Sequence, residues 1–149
     1  MDIALQQALE AMDQDEVPVG CIIVKDGNVI AAASNAPRQL YDATAHAEIL
    51  AIRRACEFLK VSRLDDCDAY ITLEPCAMCG QALSLARIHK VIFAAYDPKG
   101  GALVHGPRLY EQPTCLHAPQ LIGGIQEEKA QQLLKNFFER KRHFQKGKR

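Results

Sequence analysis

Three observations predict an α/β fold, with helices covering a central mixed sheet in three layers. Short apolar runs alternate with longer stretches of helical period, a tight-turn signal joins two of those runs, and a helix-length segment separates two others. The chain has 149 residues, 48% of them hydrophobic and 24% charged, enough for one core and one domain spanning 1–149.

Ile3, Ala4, Leu5, Ala8, Leu9 and Met12 recur at spacings of three and four and predict an amphipathic helix, after which Pro18 and Gly20 punctuate the chain. Cys21 to Val24 and Val29 to Ala33 read as strands. Between them Asp26-Gly27 supplies the positive φ angles that a tight hairpin needs. Ser34 to Asp42 is a polar loop. Thr44 then caps a second helix, which carries Ile49, Ile52 and Cys56 on one side and runs to about Leu59. Ala69 to Leu73 reads as a buried strand, Pro75 suits the first turn of a third helix whose apolar face is Met78, Ala82 and Leu85, and Val91 to Ala95 is the next strand. This strand, helix and strand form a right-handed crossover, which makes the two strands parallel and adjacent. From Asp97 to Pro119 periodicity is lost and a long loop, with at most a short helix, is expected. Leu121 to Ile125 gives a fifth strand, at an edge and interrupted by two glycines. Ala130, Leu133, Leu134, Phe137 and Phe138 make the stripe of a last helix, with both phenylalanines in the core, and Gln145 to Arg149 is read as a terminal segment without fixed structure.

No run approaches the roughly 18 apolar residues of a spanning helix, and the start of the chain is acidic, unlike a secretory leader. A cytoplasmic protein with no membrane partner is expected. Its 6 cysteines are then thiols in a reducing compartment and need another explanation. The basic and acidic residues number 18 each, yet from Lys135 onward seven bases face Glu139 alone. A tail of this kind complements a helix dipole or meets a polyanion.

The chemistry sits in His46-Ala47-Glu48 and, 26 residues on, Pro75-Cys76-Ala77-Met78-Cys79. Each half falls at the amino end of an expected helix. Two cysteines three apart in a first turn can aim both sulfurs at one point, and His46 can add a nitrogen, giving a three-ligand zinc site whose fourth position is left for water. No other histidine or cysteine has the spacing of a fourth ligand. Glu48 lies off the ligand line but at the same helix end, which suits a proton shuttle between activated water and a leaving nitrogen. The alternative is a structural or redox Cys-x-x-Cys pair beside an unrelated His-x-Glu.

The pair of motifs is the zinc deaminase signature. With Glu16-Val17-Pro18-Val19-Gly20, Ser34-Asn35, Thr44 to Glu48, Thr72 to Cys79, Asp97 to Gly101, and Phe137-Phe138 with Arg140-Lys141-Arg142, nearly the whole chain resembles the bacterial tRNA-specific adenosine deaminases of the cytidine deaminase superfamily. The resemblance implies a cytidine deaminase-like five-stranded fold, one zinc ion per subunit on His46, Cys76 and Cys79, and Glu48 as proton shuttle. It implies that Asn35 and the Ala47 amide meet the flipped base and that Asp97 and Lys99 touch its sugar or backbone. Arg140, Lys141 and Arg142 would meet phosphates of a tRNA anticodon stem-loop. It further implies a homodimer that makes inosine at the wobble position of an arginine tRNA. Two stretches depart from the pattern: Ala43 replaces a usual proline, and Ala102 to Tyr110, with His105 and Arg108, is not the usual small-residue run. A zinc deaminase of a free base or nucleoside, and a non-catalytic zinc domain that binds RNA, are the competing functions.

Overall fold

The computed structural model describes residues 1–148, so Arg149, the last of the tail's bases, lies outside the described residues. In chain order the elements are α1 (Asp2–Asp13), β1 (Gly20–Lys25), β2 (Asn28–Ser34), α2 (Ala47–Leu59), β3 (Cys67–Leu73), α3 (Ala77–Leu85), β4 (Lys90–Ala95), β5 (Gln120–Ile122) and α4 (Glu127–Lys146). The five strands form one mixed sheet in the order β2-β1-β3-β4-β5, in which β1 is antiparallel to β2 and β3 while β3, β4 and β5 are parallel. The hairpin turns at Asp26 and Gly27, both at positive φ, as the Asp-Gly pair predicts.

Alternation along the strands splits the core. Cys21, Ile23, Ala69, Ile71, Val91 and Phe93 face α2 and α3, where Ala47, Ala51, Ala55 and Leu83 close the layer. On the other face Leu5 of α1 and Ala130 of α4 pack with Ala94, and Ala95 joins them where the strand ends. The result is the expected three-layer α/β/α arrangement. In α1 the buried residues are Ala4, Leu5, Ala8 and Ala11, a narrow seam of small side chains that lets the helix lie directly on β1. Gly20 makes that approach possible: a Cβ there would sit 2.7 Å from the Ala8 amide nitrogen and press on the Ala4 carbonyl.

Several local expectations are corrected. The cap of α2 is His46 and not Thr44, whose hydroxyl and amide instead bond to Asp42 Oδ1 at 2.7 and 2.9 Å. Pro75 stands outside α3, because Cys76 takes the extended cap conformation and the helix begins at Ala77. The buried face of α3 is Cys79, Gly80, Leu83 and Ser84, whereas Met78 and Leu85 are exposed. Nearly every residue of that helix is apolar or small, so periodicity selects no face; the need to turn Cys79 inward does. Between Asp97 and Pro119 only one 3-10 turn, Leu109–Glu111, interrupts the loop, as expected. β5 stops at Ile122, before its glycines, and α4 continues through Lys146, so of the terminal segment read as lacking fixed structure Gln145 and Lys146 are helical. His143 and Lys146 in its last turn complement the carbonyl end of the helix. Phe137 is buried but Phe138 is 46% exposed, a turn away from the sheet. No helix among the described residues is long and apolar enough to cross a membrane.

Gly20→Ala should lower the unfolding free energy by about 2 kcal/mol, since the clash is with the backbone of α1, which cannot rotate away. Urea denaturation followed by circular dichroism measures it; a change under half that size would mean that α1 can lift off β1 at little cost.

Candidate active site

The sheet topology decides where the motifs meet. Because β1 is antiparallel to both its neighbours, β2, β3 and β4 point the same way, and Ser34, Leu73 and Ala95 end at one edge. The segments leaving them carry Asn35, Glu74-Pro75-Cys76 and Asp97, and β1 enters there through Val17 to Gly20. Chain ends at the carboxyl edge of parallel strands leave a crevice that no side chain of the sheet fills.

Two helices start at that crevice. His46 and Cys76 are the cap residues of α2 and α3, both in extended backbone conformation, so each turns its side chain back from the helix toward the sheet edge. Their carbonyls already accept the first helical bonds, from Leu50 and Gly80. His46 Nδ1 lies 3.6 Å from Cys76 Sγ and 3.4 Å from Cys79 Sγ, and the three donor atoms all fall within 4.8 Å of one another. Ligands of a tetrahedral zinc, one nitrogen and one sulfur at ordinary bond lengths, are about 3.6 Å apart. The donor set therefore fits a tetrahedral ion without rearrangement. Among the described residues no fourth His, Cys, Asp or Glu joins the group. All six cysteines are free.

The electrostatics suit a cation. The Cys76 thiol is pulled down to about 4, first by the hydrogen bond from Cys79 and also by His46. The same pairing and burial push Cys79 up. His46 is raised by its bond to Cys76. The amino ends of α2 and α3, where Ala47 and Ala77 are the first helical residues, add positive potential beside the sulfurs. Glu48 is 4% exposed; burial raises its carboxyl, and a hydrogen bond from Cys79 opposes that rise. A carboxyl in such a place holds its proton more tightly than an exposed one, which favours a shuttle.

A pocket of 230 Å³ opens over the group, lined by His46, Glu48, Cys76, Asn35, Asp97, Gly100, Glu74 and the apolar Val17, Val19 and Leu73. Of the sequence-predicted residues Asn35, His46, Glu48, Cys76 and Asp97 line this pocket, whereas Cys79 and Ala47 do not. Asn35 reaches the pocket while its Nδ2 donates to the Val17 carbonyl at 3.3 Å, so it serves as both wall and strut. Lys99 does not line the pocket. It stands on a wider groove that shares Val17, Leu73, Asp97 and Gly100 with the pocket and continues past Arg38, Tyr96, Phe138, Lys141 and Arg142.

The basic end of α4 forms one wall of that groove, but its three residues differ. Arg142 lines it and makes no ion pair among the described residues. Lys141 lines it and pairs with Asp15, which also holds Arg38 at 2.9 Å. Arg140 is turned away and donates to the Met12 carbonyl at 3.3 Å. Sequence reasoning missed Arg38, Phe138 and Glu74. Arg38 and Phe138 carried no signal beyond their type, and Glu74 only its place next to Pro75-Cys76; its side chain is fully buried, which a sequence of one charged residue among apolar ones does not announce.

Known proteins share these features. The model of the MafB19-like deaminase family matches residues 1–142. A tRNA-specific adenosine deaminase of Agrobacterium fabrum is 50% identical over 142 residues, covering 95% of this chain and 93% of its own. That of Aquifex aeolicus is 46% identical, covering 96% and 94%, and that of Bacillus subtilis 38%, covering 100% and 92%. A solved structure from studies of A-to-I editing by tRNA deaminases at the wobble position of transfer RNA superposes with a TM-score of 0.89 at 50% identity, covering 90% of this chain and 97% of that one. A guanine deaminase from Nitrosomonas europaea, 22% identical with a TM-score of 0.78 over 91% of this chain and 81% of its own, shares the cytidine deaminase-like fold. The chain belongs to the MafB19-like deaminase family and groups there with the tRNA-specific adenosine deaminases.

Proposed function

We propose that this chain converts adenosine to inosine at the wobble position of tRNA. The observation that carries the reading is a small pocket holding a three-donor metal group and a buried carboxyl, opening onto a groove with a basic wall. A nucleotide extruded from an anticodon loop fills the pocket while its neighbours lie along the groove, and extrusion from an unpaired loop costs less than opening a duplex.

His46, Cys76 and Cys79 hold one zinc ion per subunit. When bound, zinc supplies a water activated toward proton loss near neutral pH. Glu48 accepts that proton and delivers it to the departing amino nitrogen; a C–O bond forms at the amino-bearing carbon of the purine, the C–N bond breaks, and ammonia leaves. Burial of Glu48 keeps the proton available at the second step, and Leu73, Val17 and Val19 exclude bulk water from the base. Asn35 and the Ala47 amide orient the base; the latter is one of the first-turn N–H groups that have no acceptor within the helix. Asp97 and Lys99 take the sugar and backbone. Of the tail, Lys141 and Arg142 meet phosphates, whereas Arg140 braces α4 against α1.

Residues 1–149 act as one domain in a cytoplasmic homodimer. The outer layer leaves Phe58, Met78 and Leu85 exposed, apolar area that a second copy can cover. Static light scattering reads the assembly state, and a monomer across the micromolar range would exclude the dimer.

Zinc-loaded protein incubated with an anticodon stem-loop bearing a wobble adenosine should yield inosine and ammonia, with free adenosine, guanine and cytidine inert. Turnover of a free base or nucleoside with an inert stem-loop would keep the chemistry and discard the RNA. Glu48→Gln should retain zinc and lose about 10³-fold in kcat, the usual worth of a positioned proton donor; full activity in that variant would remove Glu48 from the mechanism. Arg142→Ala should flatten the dependence of log K on log salt for stem-loop binding by about 0.7, one phosphate contact to a single strand. An unchanged slope would take Arg142 off the RNA.

A further inference from the structure

The loop after β4 is fastened to a carboxylate that solvent does not reach. Glu74 Oε1 accepts from the Asp97 amide at 3.2 Å and lies 2.7 Å from His105 Nδ1. Its Oε2 accepts from the amides of Leu103, Val104 and His105 at 3.3, 3.1 and 3.0 Å. One carboxylate thus ties down both ends of the segment from Asp97 to His105. Between those ends Asp97 Oδ1 turns the tip by accepting from Lys99 and Gly100, at 3.1 and 3.0 Å. Gly101 has no side chain because a Cβ there would fall on the Glu74 carboxylate. The tip faces substrate: Asp97 and Gly100 wall the inner pocket and Lys99 the groove.

The imidazole is the shortest of the five contacts and the one made by a side chain. With carboxylate as the neighbour, Nδ1 carries the proton and donates. The Tyr96 ring stands edge-on to it, with centroids 6.2 Å apart, and confines it from the other side. Removing the ring leaves Oε1 with a single long amide bond on a side chain that solvent does not reach, and a buried anionic oxygen short of donors is costly. The strands beneath do not depend on this contact. The loop is therefore what yields, opening to admit water.

We propose that His105 is a positioning residue for the substrate: its ring, bonded to Glu74, holds the 97–105 loop in the conformation that presents Asp97 and Lys99 to the nucleotide. This rests on the deaminase reading of the pocket. It assigns a task to a residue that lies in the stretch where the chain departs from the family pattern.

The test compares wild type, His105→Ala and His105→Asn, all zinc-loaded, on the wobble-adenosine stem-loop and by amide hydrogen exchange without RNA. Asparagine can place its Nδ2 donor near the imidazole Nδ1. His105→Ala should raise KM about tenfold with kcat within about twofold, the mark of lost binding that is common to ground and transition states. Exchange should quicken at Asp97 and at Leu103 to His105 and stay unchanged in β3 and β4, and His105→Asn should recover both readouts. A KM within twofold of wild type in His105→Ala, an asparagine variant as impaired as alanine, or faster exchange throughout the sheet would each overturn the proposal. Wild type that makes no inosine would overturn the function instead, and with it the substrate half of this proposal; the exchange pattern then decides alone whether His105 holds the loop.

Discussion

Glu74 carries a negative charge into a region from which water is excluded, and the chain must answer it with donors. It does so with four backbone amides and one imidazole drawn from the loop after β4. Burial raises the carboxyl, yet the bonds from the His105 ring and from the amides of His105, Asp97 and Val104 outweigh it, so its pKa lies below the ordinary carboxylate value and it stays ionised. The consequence extends in both directions along the chain. Glu74 bonds across the sheet edge to the end of β4, through its amide on the Ala95 carbonyl, and leads directly into the metal group, since Pro75 accepts from Ala102 and is followed by Cys76. Ligand loop and substrate loop are thereby fixed to each other.

A metal group built on helix starts needs this support. Cap residues have extended backbones, and an unbraced end would let His46 and Cys76 move by more than the few tenths of an ångström that coordination tolerates. On the α2 side Asp42 supplies the bracing, with its carboxylate bonded to both donors of Thr44, while the Ala47–Ala51–Ala55 seam seats the helix on the sheet. Small residues recur where position matters. They admit close approach of backbones, and close approach leaves little room for a ligand to drift.

The outer groove follows a different physics. Its cations are exposed, their ion pairs are screened, and their worth lies in long-range attraction and in register rather than in stability. Asp15 holds Arg38 and Lys141 together across the groove's rim, so part of the tail's charge is already neutralised within the molecule, whereas Lys99 and Arg142 line the groove with no ion pair among the described residues. Phe138 adds an exposed aromatic face to the same groove, where an amphipathic reading of α4 places a core residue.

The amino-acid sequence by itself determined the order of elements, the hairpin at Asp26-Gly27, the parallel crossover, and the convergence of His46, Cys76 and Cys79 into one donor group. Each of these rests on local spacing: a turn needs particular φ angles, and ligands three apart on a helix start must converge. Where local signals ran out, tertiary structure decided. In α3 nearly all residues are apolar or small, so which face is buried followed from the inward turn of Cys79 and not from periodicity. Whether Thr44 or His46 capped α2 depended on Asp42 competing for the threonine. The burial of Glu74, its partnership with His105, the different fates of Arg140, Lys141 and Arg142, and the exposure of Phe138 all arise between segments 23 to 128 residues apart. Such contacts have no period and no fixed spacing, so only the folded chain reveals them.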